Sequence, residues 1–229
     1  MVARILTLAR EKGVPVQVVD RGVLDARAGG VPHQGVLAVA AAERYRTLED
    51  VLSAIPPGCP ALIVALAGVQ DAGNLGAICR SAEGLGAHGV VVPARRSAGL
   101  TGGTVRAAAG ALEWLPVARV TNLARALADL KGKGLWVVGA EADGEAVPWE
   151  ADLTVPLVLV LGGEDRGLGH AVRRACDLVV RIPTTGHVPS LNVAAAAAIL
   201  LYEVQRQRLG QGPSGERVLA IQQGHIYNG

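Results

Sequence analysis

From residue 61 onward the chain alternates short, uncharged apolar runs with helical segments, and this alternation is its strongest constraint on fold. Strands are expected at 61–67, 89–92, 115–118, 134–139, 157–161 and 178–182, and helices at about 74–84, 102–110, 122–130, 168–175 and 190–208. Runs such as Leu157-Val-Leu-Val-Leu161 are apolar at every position rather than every second one. A strand of that kind buries both faces, as in a parallel sheet covered by helices on each side. Ligands of such sheets bind in the loops beyond the strand C-termini. The loops at 68–76, 162–168 and 183–190 are therefore the places to look for chemistry.

The first 42 residues read as a small partial α/β domain: a helix over 2–12, a strand over Val14-Pro-Val-Gln-Val-Val19, a short helix, and a strand over Gly35-Val-Leu-Ala-Val-Ala40. Two strands and two helices make a thin domain, and its first portion is expected to be missing. Residues 43–60, with Pro56-Pro57-Gly58, read as a linker carrying a short helix, 61–209 as the main domain, and 210–229 as a polar, glycine-rich tail expected to be disordered.

Composition excludes several classes. Half of the residues are apolar and only 18% are charged, which argues against global disorder. Cys59, Cys79 and Cys176 are far apart and form no zinc-spaced set, so no metal site is expected and the thiols read as reduced. No uncharged apolar run reaches the roughly 20 residues that a membrane span needs, and a soluble, cytoplasmic protein is expected. Lysine occurs only at 12, 131 and 133, so nearly all of the basic side chains are arginines. Arginine suits bidentate phosphate contacts, but the net charge of +2 confines any nucleic-acid surface to a local patch. Gly84-Leu-Gly-Ala-His-Gly89 has the letters of a dinucleotide loop but ends a helix and precedes a strand, the reverse of the required context. There is no phosphate-binding Gly-x-x-x-x-Gly-Lys loop and no Gly-x-Ser-x-Gly elbow.

The three loops carry the candidate residues. In Asp71-Ala-Gly-Asn-Leu-Gly-Ala-Ile-Cys-Arg-Ser-Ala82, Asn74 opens a helix and suits an N-cap, while Arg80 projects among small residues that leave room for a ligand. Arg80 reads equally well as a surface arginine. Leu161-Gly-Gly-Glu-Asp-Arg-Gly-Leu-Gly169 offers close backbone approach, but Glu164 and Asp165 disfavour a pyrophosphate and suit a cationic ligand such as S-adenosylmethionine. The alternative is a turn with solvated acids. In the third loop, Pro183, Gly186 and Pro189 stiffen the chain before an alanine-rich helix. Ser190 suits the cap of that helix, with Asn192 inside it as a weak helix former.

Together these loops resemble the three motifs of the SPOUT-class (SpoU/TrmH) RNA 2′-O-ribose methyltransferases: Asn74-Leu-Gly-x-x-x-Arg-Ser-Ala82, Leu161-Gly-Gly-Glu-x-x-Gly167, and Ile182-Pro-x-x-Gly186 with Ser190-Leu-Asn-Val193 and Tyr202-Glu203. Arg95-Arg-Ser-Ala-Gly-Leu100, Ala109-Gly-Ala-Leu-Glu113, Val120-Thr-Asn-Leu-Ala-Arg125 and Val31-Pro-His-Gln-Gly-Val36 are similar to the branch that methylates a guanosine in the tRNA-binding loop of bacterial 23S rRNA. The resemblance spans residues 2 to about 208 and implies a C-terminal trefoil knot that holds S-adenosylmethionine, an N-terminal RNA-binding region, and a homodimer with its site at the interface. It implies a catalytic set of Asn74, Arg80, Glu164, Ser190 and Asn192, with Gly162, Ile182 and Leu191 holding the cofactor. In a dimer, the alanines of the last helix would allow two backbones to approach closely. Rival readings are a tRNA methyltransferase, a non-catalytic RNA-binding assembly protein and, more remotely, a nicotinamide oxidoreductase.

Overall fold

A computed structural model of the chain describes residues 2–30, 32–39, 45–163, 166–188 and 190–210. The chain forms two compact units, residues 1–42 and 43–229.

The first unit has two helices, α1 (Val2–Glu11) and α2 (Arg21–Ala28), and no fully buried residue on either. The strands expected at 14–19 and 35–40 are not formed among its described residues. The reason for the first is local. Gly13 takes a left-handed φ of 65°, and the Val14 amide turns back to the Ala9 carbonyl at 2.8 Å, so the chain closes α1 instead of opening a ladder. Val18 and Val39, one in each segment, are 93% and 88% exposed. His33 supplies what order the second segment has. Its Nδ1 accepts from the Gly35 amide at 3.0 Å, which leaves Nε2 to donate to Asp25 at 2.8 Å.

The second unit is built on six parallel strands: β1 (Leu62–Ala67), β2 (Gly89–Pro93), β3 (Val117–Val120), β4 (Trp136–Ala140), β5 (Leu157–Gly162) and β6 (Leu178–Val180). Their order across the sheet is β3-β2-β1-β5-β4-β6. The third strand lies two residues later than expected, because Pro116 brings no amide and instead its carbonyl accepts from Val90. Successive residues point to opposite faces, so each apolar run feeds two cores. Leu157, Leu159 and Leu161 face one side, packed with Leu62, Val64 and Leu66, under α4 (Ala72–Gly84), α5 (Gly102–Ala108) and α8 (Val193–Gly210). Val158 and Val160 face the other, with Ile63, Ala65 and Val137, against α3 (Leu48–Ser53) and α6 (Leu123–Gly132). Every one of these five β5 side chains is at most 2% exposed.

Much of the segment expected as a linker is packed structure. Thr47 and Asp50 form a reciprocal capping box at the start of α3, and Val51 is fully buried against the sheet. Arg46 bonds the backbone of β3 at both its amide and its carbonyl. The helix expected over 168–175 is a single turn, α7 (His170–Arg173). The last helix starts three residues later than expected, at Val193. Its far end is tied down by side chains, Arg208 foremost: the guanidinium donates to the carbonyls of Pro60, Ala61 and Val155, each at 2.9 Å, and to Leu153 at 3.4 Å. No helix among the described residues is long and apolar enough to cross a membrane.

Candidate active site

Because all six strands are parallel, their C-terminal ends meet on one edge of the sheet, where unpaired loop backbone is available. Beyond β5 the chain makes a turn in which Gly167 donates to the Gly163 carbonyl at 3.0 Å. A Cβ on Gly162 would sit 2.3 Å from the Gly167 carbonyl carbon, and one on Gly163 would sit 2.2 Å from the Gly68 oxygen. Any side chain there would force the loops apart, so both positions need glycine. Beyond β4, residues 141–147 run against β6. The Arg181 amide donates to Ala146 at 2.9 Å and its guanidinium to the Gly144 carbonyl at 2.6 Å, while a Cβ on Gly144 would meet Val180 backbone at 2.3 Å.

These loops and the approach to α8 enclose a cavity of about 690 Å³. Its size is that of a small-molecule or cofactor site. Gly162, Ile182, Leu191 and Ser190 all line it, together with Thr184, Val193 and Ala196. The first three are the residues expected to hold the cofactor, and Ser190 belongs to the expected catalytic set. Glu164 lies outside the described residues. Among the described residues, no group of His, Cys, Asp and Glu side chains is placed to hold a metal ion.

The cavity wall also contains residues that sequence reasoning passed over. Glu141, Asp143, Arg166 and Arg181 line it. The Glu141 carboxylate accepts from the Leu168 amide at 2.7 Å and from the Arg173 guanidinium, which also donates to Asp143 at 2.9 Å. Glu141 thereby braces the turn after β5 from the loop after β4. The available signal was its position directly after a strand C-terminus, in a loop not singled out by motif.

Asn192 is the junction of the site, and it stands at the start of α8 rather than inside it. It, not Ser190, caps α8: Oδ1 accepts from the Ala194 amide at 2.9 Å and from Ala195 at 3.4 Å. Its other end, Nδ2, donates to the Asn74 side-chain oxygen at 3.0 Å. Asn192 therefore faces Asn74 and not Arg80. Asn74 in turn is not the cap of α4. Asp71 is, accepting from the Asn74 amide at 2.7 Å. Arg80 is exposed on α4, is not in the cavity wall, and makes no ion pair among the described residues.

A cavity of cofactor size at the C-terminal edge of a parallel sheet, floored by glycine turns and joined through an asparagine pair to the helix after β1, defines a class, and comparison with known proteins identifies it. The family model described as the SpoU rRNA methylase family matches residues 61–202, and that described as RNA 2′-O ribose methyltransferase substrate binding matches residues 1–46. The chain belongs to the SpoU family of RNA 2′-O-ribose methyltransferases. It is 42% identical, over 93% of its length and 84% of the relative's, to YacO of Bacillus subtilis (strain 168), described as a putative TrmH family tRNA/rRNA methyltransferase. It is also 42% identical, over 94% of its length and 83% of the relative's, to the 23S rRNA (guanosine-2′-O-)-methyltransferase RlmB of Nitrosomonas europaea. Against mycobacterial relatives such as that of Mycolicibacterium paratuberculosis it spans 65% of the relative's length at 43% identity. Among solved structures, the SpoU methyltransferase AviRb from Streptomyces viridochromogenes in complex with the cofactor AdoMet matches with a TM-score of 0.67 and 33% identity, over 73% of this chain and 66% of that one. An AdoMet-bound rRNA methyltransferase from Sinorhizobium meliloti matches with a TM-score of 0.64 and 34% identity, over 71% and 61%.

Proposed function

We propose that the protein transfers a methyl group from S-adenosylmethionine to a ribose 2′-hydroxyl of RNA, most specifically to a guanosine of 23S rRNA, and that it works as a homodimer with a knotted cofactor site. The observation that carries this reading is the Asn74–Asn192 bond, which ties the first motif to the wall of the cavity lined by the second and third. The cavity suits that cofactor on its own features. Backbone, not side chain, faces it at Gly162 and Gly163, and Glu141 and Asp143 place carboxylates in a wall that a sulfonium ligand tolerates. When bound, the cofactor supplies an electrophilic methyl on sulfur.

The chain's own residues do the rest. Gly162, Ile182 and Leu191 hold the ligand, partly through backbone groups, and Ser190 offers a hydroxyl in the cavity wall. Asn192, fixed at both ends, keeps Asn74 in register with the third motif. Arg80 is exposed and does not line the cavity of its own chain, and a dimer would bring it to the partner's. A guanidinium keeps its proton at neutral pH, so its role there is to stabilise the developing 2′-alkoxide electrostatically. The stripe Ala195, Ala198, Ile199 and Tyr202 on the outer side of α8 suits a close helix contact; of these, Ile199 is 44% and Tyr202 61% exposed. Glu164 completes the proposed catalytic set.

Labelled-methyl transfer to unmodified 23S rRNA, followed by mapping of the 2′-O-methyl position, tests the reading. Transfer to a single guanosine is expected; transfer to tRNA alone would move the substrate to the other branch. Arg80→Ala should bind S-adenosylmethionine normally in calorimetry yet transfer no methyl. Mixing Arg80→Ala with Ser190→Ala subunits should restore part of the activity, because one site of the mixed dimer is intact.

A further inference from the structure

One motif remains without a task. Arg95-Arg-Ser-Ala98 follows β2 on the same edge of the sheet as the cavity. Its backbone is held at many points. The Ala94 amide donates to Val120 at 2.8 Å, and the Ala94 carbonyl accepts from the Arg119 guanidinium at 2.8 Å. The Ala98 amide donates to Val69 at 2.8 Å, the buried Thr104 hydroxyl donates to the Gly99 carbonyl at 2.6 Å, and the Leu100 amide donates to the Tyr45 hydroxyl at 3.1 Å. Arg119 also lies over the Tyr45 ring, 5.0 Å from its centroid.

Within this braced loop Arg96 takes a left-handed φ of 57°, a conformation that favours glycine. A non-glycine residue stays in such a conformation only where its surroundings over-determine it, and such residues cluster at functional positions. Arg95 and Arg96 are both exposed, and neither makes an ion pair or a side-chain hydrogen bond among the described residues. By contrast, Arg125, Arg173 and Arg206 each meet a carboxylate. The acid nearest in sequence to Val69, which the loop contacts, is Asp71, and one of its carboxylate oxygens is engaged by the Asn74 amide. The loop is therefore a stiff mount that presents two guanidinium groups with no carboxylate partner among the described residues.

Its location gives the mount a use. The Arg96 carbonyl lies 3.9 Å from where a Cβ of Gly68 would be, in the turn that leads into α4 and Asn74. β2 and β5 are two strands apart, roughly 10 Å. The geometry points to Arg95 and Arg96 as a phosphate clamp on the catalytic unit, gripping the RNA backbone beside the nucleotide whose ribose enters the site. Planar, always-charged guanidinium groups on a rigid loop match phosphodiester oxygens in pairs and position the strand without reading its bases. This rests on RNA being the substrate, but it adds a second contact distinct from the N-terminal unit.

The test compares wild type with Arg95→Gln/Arg96→Gln, with Arg96→Gly, whose backbone suits the left-handed site, and with Arg125→Gln as a control on the other face of the sheet. Binding of unmodified 23S rRNA and tRNA transcripts is measured against salt concentration, alongside calorimetry with S-adenosylmethionine. The double variant should bind RNA on the order of tenfold more weakly and lower the log–log salt slope by roughly 1 to 2. KM for RNA should rise while kcat and cofactor affinity stay near wild type, and Arg96→Gly should show about half of the slope change with its fold intact by circular dichroism. An unchanged slope, or an equal loss in Arg125→Gln, would overturn the clamp. If wild type binds RNA through these arginines but transfers no methyl, the clamp stands and the proposed reaction falls. If it methylates RNA with a slope that does not depend on these arginines, the reaction stands and the clamp falls.

Discussion

At residue scale, Asn192 shows how a single side chain can serve two elements, and the two tasks can be separated. Asn192→Ala removes both the cap and the link to Asn74, so it should lose about 1 kcal/mol of stability together with activity. Asn192→Asp keeps an acceptor for the Ala194 amide but loses the donor to Asn74, so thermal melting should stay near wild type while methyl transfer falls. The motif position was legible in the sequence, but its role was not. Ser190 outranks most residues as a cap, and only the geometry shows the helix starting at Val193. His88 gives a pH prediction. Burial lowers its pKa from 6.5, opposed by a backbone hydrogen bond with Leu62 and aided by the Arg208 charge, and its Nδ1 accepts from the Leu62 amide at 3.1 Å. Since the folded-state value lies below the unfolded one, this contribution is fully present above about pH 6.5 and is lost as pH falls through the lowered value. Urea unfolding at a series of pH values should show a steeper acid-side decline for wild type than for His88→Asn. The thiols should also divide. Burial pushes Cys79 up to about 12 and Cys176 up to about 11, whereas Cys59 is exposed. A thiol reagent should titrate one cysteine in the native protein and three after denaturation.

At the scale of elements, the sheet was the most legible part of the chain. Uninterrupted runs such as 157–161 cannot be half-exposed strands, and both of their faces are indeed covered. The same logic failed at 14–19 and 35–40, where short apolar runs signalled strands but no neighbouring strand among the described residues pairs with them. A short apolar run states that its residues favour a strand and says nothing of whether a partner exists. Glu141 was missed for a related reason: its partners Leu168 and Arg173 are 27 and 32 residues away, beyond any local pattern. The alanines of α8 make a prediction at this scale. A bulky, charged replacement at exposed Ala195 should leave the melting temperature almost unchanged yet shift size-exclusion elution toward a monomer. A replacement at fully buried Ala197 should instead destabilise the fold by about 1–3 kcal/mol through overpacking.

For the whole molecule, the two units divide the labour. Removing residues 1–42 should leave S-adenosylmethionine affinity unchanged in calorimetry, because every residue lining the cavity lies beyond 139, while weakening RNA capture in a filter-binding assay. The Arg208 anchorage has a further consequence, for the order of events during synthesis. The carbonyls it satisfies at Pro60 and Ala61 are 148 and 147 residues upstream. The ribosome delivers the two central strands long before it delivers the guanidinium that seals their starting ends. Until then the Pro60 oxygen depends on water and the Ala61 oxygen has the Leu157 amide alone, and the apolar face beneath α8 stays open. Contacts between such distant parts of a chain form slowly, and exposed strands invite association meanwhile. Arg208→Ala should therefore show itself first as a lower soluble yield in cells and a slower refolding phase, with a smaller effect on the cofactor affinity of the molecules that do fold.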